Sequence, residues 1–141
     1  MIIQAKEASF SVPMDTITLD SFFDSAEIES DYLRNLLEKV LEIINRPDLY
    51  FGKIGECRIF GSAGVVTRDG DIFLDSKKLN FYGDDVAMAI TAHELAHYHL
   101  GHYIDWEFSE EKEIEADELA KSWGFNIDKF RKEFSLDGKE N

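Results

Sequence analysis

Five consecutive residues, His93-Glu94-Leu95-Ala96-His97, have the types and spacing to do chemistry. On a helix each residue turns about 100°, so His93 and His97 project from one face a turn apart, where two imidazoles can grip one metal ion. Glu94 points to the side of that pair. From there its carboxylate can hold a water and take its proton as general base. Two histidines are not a complete site: a third protein ligand is needed, with one further position left open if the metal is catalytic.

Downstream, His99, His102 and the acidic run after residue 109 are the candidates for that ligand. With His93 at zero on the helical wheel, His97 falls at about 40°, His99 at about 240° and His102 at about 180°. Neither extra histidine faces the metal while the helix continues, and both read more simply as cations at a helix C-terminus. The longer zinc pattern H-E-x-x-H-x-x-G-x-x-H also fails, because glycine comes one place late, at Gly101, and Ile104 stands three beyond it. The run EKEIEADELA supplies what is missing: Glu113, Ala116 and Asp117 share one helical face. Glu113 can reach the metal, Ala116 leaves room for close helix contact, and Asp117 can accept the outer N–H of a ligating imidazole. The other acidic residues from Glu110 to Glu118 read as a solvated face.

These residues need elements to position them. Val86 and Ile90 lie on the stripe of His93, in a helix expected from about Asp85 to Leu100, capped by Asp84 and stopped by Gly101. A following helix is expected from Ser109 to Ser122, ended by Gly124, and a last short one across Ile127, Phe130, Arg131 and Phe134. Upstream, Ile28, Tyr32, Leu33, Leu36, Leu37, Val40, Leu41 and Ile44 recur at helical intervals, predicting an amphipathic helix from Ala26 to Asn45. Between Lys53 and Asp75 the period changes to two, giving three short strands, the last two joined as a hairpin through Arg68-Asp69-Gly70-Asp71. The expectation is an α+β fold in a single domain over residues 1–141, with an extended arm over 1–24 and a tail over 136–141.

Composition supports a packed fold: 44% of the 141 residues are apolar, with eleven Phe. With 29 acidic residues against 15 basic, the formal net charge is −14, which repels phosphate backbones and anionic membranes and leaves a neutral or basic protein as partner. Cys57, the single cysteine, can form no intramolecular disulfide and reads as a small core residue. No apolar run reaches signal or membrane-span length, so the expected location is cytoplasmic.

The run ITAHELAHYHLGH followed by EKEIEADELAKSWGF resembles the ImmA/IrrE-type zincin-like metallopeptidases, in which an H-E-x-x-H helix is followed by a glutamate ligand in an E-x-x-A-D motif. The preceding GDIFLD is similar to the strand before the active-site helix of that family, and the likeness covers about residues 60–125. The resemblance implies a zincin-like fold: a small sheet, an N-terminal helix, the H-E-x-x-H helix and a following helix carrying the glutamate. It implies Zn2+ on His93, His97 and Glu113 with Glu94 as base, and hydrolysis of a peptide bond in a specific intracellular protein such as a phage or mobile-element repressor. Tyr98, His99, His102 and Tyr103 stay open as transition-state stabilisers, and the oligomeric state leaves no mark. Residues Ile72 to Asp75 are expected to line the cleft and pair with an extended substrate. The competing expectation is a zincin-shaped binding or regulatory module, whose metal is structural and which recognises its partner without cleaving it.

Overall fold

The computed structural model describes residues 31–50, 52–58, 62–104 and 109–134. The expected arm over 1–24, the first turn of the predicted N-terminal helix and the expected tail over 136–141 lie outside them. Among the described residues the architecture is α+β, with five α-helices and a small three-stranded mixed sheet.

Helix α1 (Asp31–Ile44) buries Leu33, Leu36, Leu37, Val40 and Leu41, the stripe that helical periodicity marks. Each such side chain contributes about 2 kcal/mol when withdrawn from water. Strands β1 (Ile54–Glu56), β2 (Gly64–Val66) and β3 (Ile72–Leu74) follow, in the order β1-β3-β2. β2 and β3 form the expected hairpin, with Val65 opposite Phe73 and the turn closed by Gly70 N–H donating to the Thr67 carbonyl at 2.8 Å. β1 pairs with β3 in parallel, Ile54 opposite Ile72. This corrects the expected role of Ile72 to Asp75: β3 is the central strand with both edges already paired, and Asp75 has left it to cap the next helix. Neither can accept an extended peptide. Of the two outer strands, β2 is the one that lies against the H-E-x-x-H helix at Glu94.

Helix α2 (Ser76–Tyr82) was not expected; it is seven residues long and buries only Leu79, too little for periodicity to register. The Asp75 carboxylate accepts from Lys78 N–H at its start. Helix α3 (Asp84–Leu100) starts from Gly83, with Asp84 in its first turn rather than at the cap, and ends at Gly101 in the left-handed conformation, φ 78°. It is the central element, touching α1, α2, β2 and β3 and the two helices that follow. Its small residues Ala87, Ala89, Ala92 and Ala96, all buried, let those neighbours approach closely. The buried Thr91 hydroxyl donates to the Ala87 carbonyl at 2.9 Å, so the crowding leaves it satisfied. Helix α4 (Glu110–Ser122) is capped by Ser109, whose hydroxyl accepts from Lys112 N–H, and helix α5 (Ile127–Glu133) by Asn126. Cys57 is buried, and burial pushes its thiol up, as a core cysteine requires. No helix among the described residues is long and apolar enough to cross a membrane.

Candidate metal centre

α4 crosses α3 with Ala116, fully buried, on the face between Glu113 and Asp117. The crossing brings the Glu113 carboxylate onto both imidazoles: its Oε1 lies 3.2 Å from His93 Nε2 and its Oε2 3.0 Å from His97 Nε2. The two Nε2 atoms are themselves 3.0 Å apart. The carboxylate thus straddles the two imidazoles, each contact near the spacing of about 3.3 Å that ligand atoms keep around a tetrahedral ion with bonds of about 2.0–2.1 Å. His93, His97 and Glu113 therefore can hold a metal ion, and as two nitrogens and one carboxylate they suit zinc.

Charge points the same way. Glu113 and Asp117 carry two negative charges in a largely buried place, and Arg131 of α5 offsets only one of them. The remaining charge seeks a cation. Without metal it finds a proton: burial opposes a charge on His93, yet Glu113 and Asp117 outweigh it and lift the imidazole to about 9. Burial drives His97 down to about 3 against the pull of Glu113, and the charge on His93 pushes the same way. Burial also opposes ionisation of Glu113, but the two imidazoles hold its carboxyl well below the usual range.

Behind the triangle stand the groups that orient it. Asp117 Oδ1 lies 2.9 Å from His93 Nδ1, short enough for an ion pair although the ring N–H is not aligned with that oxygen. Arg131 holds Asp117 with two hydrogen bonds and reaches Glu113 Oε1 at 3.2 Å. Its guanidinium lies over the Phe130 ring, which in turn meets the His93 ring edge-on. The sequence places Arg131 only as part of a helix; no spacing rule links a residue on α5 to Asp117 fourteen positions earlier.

Glu94 is 4% exposed, burial raises its carboxyl above the ordinary range, and its Oε1 has no hydrogen-bond partner among the described residues. Its side chain fits against β2 because residue 64 is glycine: a Cβ there would stand 2.8 Å from Glu94 Cγ and 3.0 Å from Oε2. A buried carboxylate oxygen left unpaired is costly, at about 1–3 kcal/mol or more, and calls for a partner.

The open candidates for a stabilising group separate. Tyr98 and Tyr103 stack on each other with ring centroids 5.4 Å apart, next to Tyr50 and the hairpin turn at Gly70, and serve the core. His99 meets Trp123 edge-on. His102 is the correction: it is not simply a helix-end cation, because its Nδ1 lies 2.9 Å from His97 Nδ1. The wheel that turned it away assumed a continuing helix, whereas Gly101 breaks α3 and a 3-10 turn over His102–Ile104 swings the ring back. Comparison of the chain with protein-family models, curated proteins and solved structures finds no match.

Proposed function

We propose that this chain is a zinc-dependent metallopeptidase of zincin-like architecture that hydrolyses a peptide bond in a specific protein partner. The observation that carries the reading is the buried Glu94 carboxylate, its Oε1 unpaired among the described residues, beside the convergent His93, His97 and Glu113. The chemistry a divalent ion supplies there when bound is Lewis acidity, polarising the scissile carbonyl and lowering the pKa of water. His93, His97 and Glu113 would hold it, with Asp117 paired to the outer side of the His93 ring. Glu94 takes a proton from the attacking water as the new C–O bond forms, then passes it to the amine nitrogen as the C–N bond breaks. Burial suits Glu94 to both halves, because a raised carboxyl is a stronger base and still an effective acid.

With the H-E-x-x-H helix beside it, β2 is the strand offered for pairing with an extended substrate. The net charge of −14 favours a neutral or basic segment, and the family resemblance points to a repressor of a phage or mobile element as the kind of protein cut.

A structural metal in a binding module is the second reading, favoured by the burial of His93 and His97. Against it stands the donor set, three residues among those described where a closed structural site has four. Metal analysis joined to a cleavage assay on Glu94→Gln decides. Equal zinc in both proteins with cleavage by the wild type alone supports the peptidase. Full cleavage by Glu94→Gln removes the assigned base, and a wild type that holds zinc but cuts no partner it binds favours the module.

A further inference from the structure

Behind His93 stands Asp117, 2.9 Å from its Nδ1; His97 has a partner of its own, supplied by two residues outside the motif. His102 Nδ1 lies 2.9 Å from His97 Nδ1, and His102 Nε2 lies 2.8 Å from Glu115 Oε1. The His102 side chain is 12% exposed and Glu115 63% exposed, so the row runs from the metal triangle outward to the surface of α4.

Only one arrangement of protons satisfies this row when His97 offers its Nε2 lone pair to a metal. His97 must then carry its proton on Nδ1 and donate it to His102 Nδ1. That nitrogen must be bare, so His102 is neutral with its proton on Nε2, which donates to Glu115. We propose that His102, anchored by Glu115, is a positioning residue that fixes the tautomer and ring orientation of His97 and so sets metal affinity. The inference rests on the metal-centre reading above. It makes the two histidine ligands unequal, since His93 is backed by the Asp117 carboxylate and His97 by a neutral ring.

The test uses the full chain with Zn2+ and Co2+ as probes, read by competition with a chromophoric chelator and by the visible spectrum of the cobalt form. His102→Ala should bind both ions about 10–100-fold more weakly and shift the cobalt bands. His102→Asn, whose side chain places an acceptor near the position of Nδ1, should restore most of the affinity, and Glu115→Ala should lose less than His102→Ala. Nitrogen NMR of the zinc-loaded wild type should find His97 protonated on Nδ1, a readout that survives if the alanine variant fails to fold. An unchanged cobalt spectrum and affinity in His102→Ala, or His97 bound through Nδ1, would overturn the inference while leaving the metal centre standing. Failure of the wild type to take up either ion would overturn both.

Discussion

Arg131 grips Asp117 through two parallel hydrogen bonds, Nε to Oδ2 at 2.7 Å and Nη2 to Oδ1 at 3.0 Å. The same Nη2 reaches Glu113, so one guanidinium holds a carboxylate from the ligand set and the carboxylate behind it at once. Arg131→Ala strands two acidic groups with side chains only 12% and 13% exposed and is expected to destabilise the chain by about 3 kcal/mol. Arg131→Lys should recover only part of that, because an ammonium cannot make the paired contact. Urea denaturation measures both, and an unchanged midpoint in Arg131→Ala would contradict the role.

Glu113 and Glu115 lie two residues apart on α4 but differ in their distance from the metal triangle. Glu113→Ala removes the proposed third ligand and should lower zinc affinity by roughly a hundredfold or more, whereas Glu115→Ala removes only the outer partner of His102 and should cost roughly tenfold or less. Zinc retained after dialysis against a chelator reads the difference. Equal retention would sink Glu113 as third ligand.

Gly64 leaves no room for a methyl group: its Cβ would stand 2.8 Å from both Glu94 Cγ and Leu74 Cδ2. Gly64→Ala should destabilise by about 1–3 kcal/mol and displace Glu94, lowering cleavage while zinc content is kept. A variant as stable and active as wild type would show that Glu94 does not depend on this contact.

Metal-free protein should be most stable near pH 6.5. With His93 lifted to about 9 when folded, the native state keeps a proton between pH 6.5 and 9 that the unfolded chain has shed, so raising the pH through that window favours unfolding. His97, held down to about 3, works on the acid side: below pH 6.5 the unfolded chain takes up a proton the native state refuses, and stability falls towards pH 3. Zinc replaces the proton on His93, so the alkaline loss should vanish on loading. Thermal melts with and without zinc at pH 6.5 and 9 check this; parallel alkaline losses in both would count against it.

The histidine pair, Glu113 and Asp117 could be read from the sequence because each pair lies on one helix, where a fixed rise and turn convert spacing into direction. The hairpin was legible for the same local reason. The parallel pairing of β1 with β3 was not, since nothing within either strand specifies a partner eighteen residues beyond. His102 was misjudged at a helix end, where the wheel no longer holds, although the glycine before it marked the break. Arg131 comes from a third helix, and only the docked arrangement reveals its part.

That docking also extends the centre along the chain. The candidate ligands and the proposed base end at residue 113, but the cation that reaches Glu113 arrives eighteen positions later on α5, the last described helix. Without α5, Glu113 and Asp117 lie one helical turn apart on α4 and lack the shared contact that Arg131 gives both. A chain ended before residue 131 would keep every candidate ligand but lose the guanidinium that reaches both Glu113 and Asp117. The contacts around the candidate centre are complete only with α5 docked, which ties that centre to packing of the last described helix.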